Sequence, residues 1–299
     1  MIGQCRLCCE TRDLQASHVV PAFVYRWLKD TSATGFIRFG QNPNKRVQDG
    51  YKENWLCAEC EGRFSVFETK FATKIFHPFN EGSRGTIRYD EWLLKFCASV
   101  SWRTLLKISE IGLEDFSTHQ KEAVVAALTV WSKYLLGELP NPGQFEQHIL
   151  PLDAIVEASS GAVPANINRY ILRSVDLDAV RSESVAFVLT KMSKYVVLGF
   201  IDVKFPRQWQ GTKISARQGI FGSGDFTIPV QFRDYLYGKA ERYAETMQKI
   251  SDRQHEKMDA AMWRDIDRVA NSGSFKAMQH DVNLSGKSAF LIHRPKKTS

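Results

Sequence analysis

Two Cys-x-x-Cys pairs constrain this chain more than any other feature: Cys5 and Cys8 open it, and Cys57 and Cys60 follow in Asn54-Trp55-Leu56-Cys57-Ala58-Glu59-Cys60-Glu61. Each pair can wrap one cation with two thiolates. Four thiolates at tetrahedral positions saturate Zn²⁺ and leave no open position for chemistry, so the metal implied is structural. In a reducing compartment thiols stay free, which favours zinc over a disulfide framework. The competing readings are a redox Cys-x-x-Cys and unrelated buried cysteines.

Behind the second pair, Phe64, Phe67 and Phe71 recur at helical spacing, so Cys57 and Cys60 open a helix. An early zinc knuckle and a second pair at a helix N-terminus is the layout of a treble clef. The order Cys5-x-x-Cys8, Ser17-His18-Val19-Val20-Pro21, then Asn54-x-x-Cys57-x-x-Cys60-Glu61 resembles the zinc-containing branch of the HNH endonucleases. That family's pattern is CxxC, Asp-His-Ile-x-Pro, Asn, CxxC, then Asn or His. The resemblance covers about the first quarter of the chain and implies a ββα-metal motif that cuts nucleic acid with a bound divalent cation.

Carried over by position, the resemblance makes His18 the general base, a role suited to an imidazole that is mostly neutral yet basic at physiological pH. Asn54 matches the asparagine that fixes the loop carrying the base. Glu61 falls where the family has a metal ligand, and a carboxylate suits Mg²⁺ or Mn²⁺. Ser17 departs from the pattern, since the family has Asp or His there as the other ligand. Glu68, two turns beyond Glu61 on the same helix face, is the first candidate to complete the site. Asp13 and Asp49 are less constrained alternatives. If none does so, the site is degenerate and the module folds the domain or binds a partner.

The chain has 299 residues, 43% hydrophobic and 24% charged, as expected for a globular protein of one large or two ordinary domains. No apolar run is long enough to span a bilayer, and no signal peptide precedes Cys5, so no membrane association and a cytoplasmic location are expected. The net charge is +7. Residues 1–80 hold 11 Lys and Arg against 8 Asp and Glu, residues 81–286 are balanced, and the last thirteen carry four basic and no acidic side chains. Four thiolates with one Zn²⁺ cancel two of the three positive units of the first segment. A phosphate-binding surface then needs clustered cations, for which Arg6, Arg12, Arg26, Lys29, Lys45, Arg46 and Arg63 are candidates; scattered solvated charges are the default.

Along the chain, residues 21–29 read as a short helix opened by proline, and 31–50 as a polar loop with a strand near 36–39. The helix after Cys60 is expected to end near Phe76, with a break from His77-Pro78 to residue 85. His77 reads as a cap or packing residue ahead of an extra ligand. Residues 91–108 and 118–136 carry helical apolar faces, with Cys97 as a buried hydrophobe. Strands are expected over 170–180, in a hairpin over 184–203 turning at 191–194, and over 209–220 and 226–230. The glycines at 219, 222 and 224 mark a turn, with no nucleotide role. Residues 232–269 read as one long helix with an intermittent apolar stripe that could pack on the sheet or pair with a partner.

The expected fold is therefore α+β: an HNH-like treble-clef zinc domain over 1–80, a mixed helix and antiparallel-sheet domain over 81–286 with a long C-terminal helix, and a basic tail over 287–299. The expected function is metal-dependent hydrolysis of nucleic acid, DNA ahead of RNA, with structural Zn²⁺, catalytic Mg²⁺ or Mn²⁺, and regulation by a partner or trigger as in host defence or mobile elements. A protein partner or second copy would use the C-terminal helix. The alternative is a catalytically degenerate zinc protein that binds nucleic acid or protein.

Overall fold

The computed structural model describes residues 1–158, 163–222 and 225–291. In chain order these form β1 (Ile2–Gln4), β2 (Thr11–His18), α1 (Ala22–Asp30), β3 (Ile37–Phe39), β4 (Asn42–Val47), β5 (Lys52–Cys57) and α2 (Ala58–Phe71). A π-helical turn (Ala72–Phe76) leads into α3 (His77–Asn80), followed by β6 (Ile87–Asp90), α4 (Glu91–Ile111), α5 (Thr118–Leu136), β7 (Gln147–Pro151) and α6 (Ile167–Arg173). Next come β8 (Val175–Arg181), β9 (Val185–Met192), β10 (Tyr195–Val203), a 3-10 turn (Pro206–Gln208) and β11 (Gln218–Phe221). The chain closes with α7 (Val230–Gln248), α8 (Asp252–Arg264), α9 (Ile266–Asn271), α10 (Gly273–Ser285) and α11 (Ser288–Leu291). Among the described residues no helix is long and apolar enough to cross a membrane.

The chain forms two compact units of three segments each. The first unit comprises Met1–Pro21, Tyr51–Pro151 and Asp176–Ile228, and the second Ala22–Gly50, Leu152–Val175 and the chain from Pro229 onward.

In the first unit, α4 is the central element. Its residues from Trp92 to Leu105 are buried with one exception, Lys95, and a helix apolar on nearly all sides has to lie inside a core. It packs against α2, α5 and the antiparallel sheet β7-β10-β9-β8. The Asp90 carboxylate accepts from the Trp92 N–H at 3.1 Å to start α4. A capping box between Ser117 and Gln120 starts α5, and Gly137 ends it in the left-handed region. The expected hairpin is present as β9 and β10, with Ser193 at positive φ in its two-residue turn. Lys191, just before that turn, is fully buried; its Nζ donates to the Ser193 carbonyl at 2.7 Å, and burial brings its pKa down to about 7.

In the second unit, the C-terminal end of α1 is held by two arginines. Arg173 donates to the Leu28 carbonyl and the Thr31 hydroxyl, and Arg268 donates to the Lys29, Asp30 and Ser32 carbonyls. Asp281 of α10 is fully buried; it accepts from the Asn168 and Arg169 N–H groups at the start of α6 and from Arg169 Nε at 2.7 Å.

Several elements differ from expectation for identifiable reasons. The chain stays helical through His77-Pro78 to Asn80, because the His77 N–H reaches back to Ala72 O and widens the turn where proline has no N–H to give. Residues 167–173 are helical, so only Val175–Arg181 of the expected strand forms one. Of residues 209–220 only the last three lie in β11, and residues 226–229 lead into α7 without forming a strand. Gly224 and the charged end of the basic tail lie outside the described residues. The long C-terminal helix is interrupted after Gln248 and at Asp265 and Ser272. Asn44 of β4 clamps the first interruption from both sides, and the Asp265 and Ser272 side chains each accept a backbone N–H to start a new helix. The apolar stripe expected as a partner seam is thus divided among separate helices.

Candidate functional site

The four cysteines meet where β1, β5 and α2 converge. The turn after β1 closes through Cys5 N–H to Glu10 O and Cys9 N–H to Cys5 O, both at 2.9 Å, with Cys9 in the left-handed region. That turn returns Cys8 toward Cys5. β5 ends at Cys57, whose extended backbone serves as the N-cap of α2, so Cys60 follows one helical turn on. The Arg6 N–H bonds to Trp55 O at 2.8 Å and fixes the knuckle against β5.

The four sulfurs lie within 4.8 Å of one another, with Cys8 and Cys57 Sγ at 3.9 Å. A tetrahedral zinc with bonds of about 2.3 Å separates its sulfurs by about 3.8 Å, so the quartet fits a structural metal such as zinc. Burial pushes the Cys5 thiol up, but N–H groups of Cys8, Cys57 and Leu7 outweigh it and bring the pKa down to about 7. Burial and the neighbouring thiols push Cys60 up, and burial does the same at Cys8. Four thiols crowded in this way can share one divalent cation, which would favour their deprotonated forms. Cys97 is fully buried in α4 and lies outside the cluster.

Next to the quartet, β2 and β5 pair antiparallel, with Ser17 opposite Glu53 and His18 opposite Lys52. His18 ends β2 and is half-buried. Ser17 is fully buried, with its hydroxyl 3.5 Å from Gln15 O. Asn54 is exposed where β5 shifts register against β2. Glu61 lies in the first turn of α2, and its Oε2 is buried without a hydrogen-bond partner. Glu68 is ion-paired with Arg103 at 2.7 Å, so the carboxylate expected to complete a cation site is committed to a guanidinium. Asp13 bonds the N-terminal amine at 2.5 Å near the other end of β2, and Asp49 belongs to the second unit. His77 packs edge-on against Phe76 and joins no ligand cluster. Among the described residues, the cysteine quartet is the only group of three or more His, Cys, Asp or Glu side chains arranged to hold one ion.

Sequence reasoning missed three residues of α4. Arg103 is fully buried; it donates from Nη1 to His18 O at 2.9 Å and from Nε to Ser99 O at 3.2 Å, with its guanidinium 5.2 Å from the Phe64 ring centre. One turn on, Lys107 bonds Glu53. Another turn on, Glu110 accepts from Trp55 Nε1 at 3.1 Å and from Arg6 at 3.4 Å. Positions 103, 107 and 110 share one helix face, which fastens β2, β5 and the knuckle to α4. A lone arginine inside the apolar run from Trp92 to Leu106 was the one available signal.

Three of the candidate cations lie in the first unit, each beside an acidic side chain. Arg6 pairs with Glu110, Arg12 with Glu10 and Glu59, and Arg63 with Glu59. Arg63 and then Arg12 hold the Glu59 carboxyl below its ordinary value. Arg26, Lys29, Lys45 and Arg46 belong to the second unit. Comparison with protein-family models, curated proteins and solved structures finds no match to this chain.

Proposed function

We propose that β1, β2, β5 and α2 form an HNH-like treble clef around a structural zinc, and that the chain hydrolyses phosphodiester bonds of nucleic acid. The observation that carries this reading is the strand-strand-helix order with the cysteine quartet at its base, His18 ending the first long strand and Glu61 opening the helix. His18 takes the proton from the attacking water. Glu61 is the candidate ligand for Mg²⁺ or Mn²⁺, and its orphaned oxygen is the kind of group such a cation would satisfy. When bound, the ion would polarise the phosphate and stabilise the leaving oxygen. The remaining donors fall short of a full cation site, since Ser17 is buried and Glu68 is paired, so Glu61 would share the ion chiefly with water and substrate.

A second reading is a zinc-stabilised binding protein with a degenerate site. The burial of Ser17 and the pairing of Glu68 favour it. Cleavage of labelled DNA and RNA with Mg²⁺, Mn²⁺ or EDTA separates the two, beside a zinc-loaded, folded His18→Ala variant. The nuclease reading expects metal-dependent cutting by wild type and none by the variant. Absence of cutting on any substrate at high enzyme concentration, or equal cutting by both proteins, refutes it.

A further inference from the structure

A single guanidinium from outside the first quarter of the chain joins the two elements that carry the candidate site. Arg103 is 1% exposed; its Nε donates to the Ser99 carbonyl and its Nη1 to the His18 carbonyl, while Nη2 lies 2.7 Å from the Glu68 carboxylate as an ion pair without hydrogen-bond geometry. The Phe64 ring lies within cation-π distance of it. The group is therefore locked within α4, tied to the last residue of β2, and tied to α2 two turns beyond Glu61. A planar fork can hold an oxygen on each of two elements at once; an ammonium, being a point charge, cannot reproduce that geometry.

We propose that Arg103 is a positioning residue for His18: it fixes the backbone from which the imidazole projects and references that point to the helix carrying Glu61. The proposal rests on His18 acting as the base. Lys107 bonded to Glu53, across from Ser17, and Glu110 bonded to Trp55 extend the same support along β5. The site is thus held by α4 as well as by its own cysteine quartet.

The test uses the full chain. Arg103→Met alone orphans Glu68, so Arg103→Met combined with Glu68→Gln removes that charge, and Arg103→Lys keeps a cation beside Glu68. The expected result is retained zinc and a retained melting transition, with kcat lowered about tenfold to a hundredfold at unchanged KM, as for a reacting group moved by a fraction of an ångström. The His18 ring signals, identified by their loss in His18→Ala, should shift in both variants while those of other histidines stay. Wild-type kcat in a folded double variant with unmoved His18 signals overturns the proposal. Loss of fold in every variant overturns it too, since Arg103 is then a core residue only. If wild type cuts no nucleic acid, the nuclease reading falls and the ring signals alone decide: a shift upholds positioning, and its absence overturns it.

Discussion

Replacing Lys191 with methionine should make the protein more stable, and by an amount that depends on pH. The side chain is fully buried near the turn of the β9–β10 hairpin, where burial lowers its pKa from 10.5 to about 7, with Asp176 offsetting part of the effect. Below about pH 7 the ammonium is charged in both folded and unfolded chains, and the fold bears the whole desolvation cost. As pH rises through the folded pKa toward the unfolded one, the folded chain releases its proton first. The unfolded chain then binds more protons, so the sign of the linkage is rising stability with rising pH. With those two pKa values, the cost falls by about 2–3 kcal/mol between about pH 6 and about pH 9. Methionine fills a similar volume without charge; the hydrogen bond to Ser193 O that it gives up is worth about 1 kcal/mol. Urea melts of both zinc-loaded proteins at matched pH values measure the difference. The advantage of Lys191→Met should be largest at acid pH and shrink by that amount toward pH 9. A difference independent of pH, or one growing as pH rises, refutes the burial argument.

Metal analysis should find one zinc per chain, and Cys57→Ser should abolish it and unfold the β1-β2-β5 module, with a loss on the order of 10 kcal/mol in metal-coupled folding; an unchanged near-UV spectrum would contradict this. Asp281→Ala removes the carboxylate partner of Arg169 and frees two N–H groups of α6, so urea melts should show a loss of about 3–5 kcal/mol. Gly199→Ala would bring a Cβ to 2.7 Å from Ser101 and Trp131, between the sheet and its covering helices. Overpacking of that kind costs about 1–3 kcal/mol, read as a lowered melting temperature, and a neutral outcome would mean α4 and α5 move apart easily.

Local signals were legible in the sequence. The apolar face over 118–136 delimits α5 as expected, and α4 differs from its expected span only at the C-terminal end. The cysteine spacing was enough to foresee one four-thiolate cluster, because two Cys-x-x-Cys turns need only be brought together once. Long-range partners were not legible. Nothing near Gln248 says that Asn44, some two hundred residues earlier, accepts the Ser251 N–H and so interrupts the C-terminal helix. Nor does the motif around His18 mention Arg103 or the pairing that occupies Glu68. Hydrophobic periodicity reports which face of a helix is buried, but not which buried charge meets which carbonyl.

The polar face of α4 also has a consequence in time. During synthesis the cysteine quartet is complete once Cys60 has emerged, but the support beneath His18 is not. At about 5–20 residues per second, a ribosome needs roughly 2–9 s to proceed from Cys60 to Arg103. Through that interval the nascent chain carries all four cysteines while the last residue of β2 still lacks its hydrogen bond from Arg103, so the metal-binding turns are available before the helix that braces them.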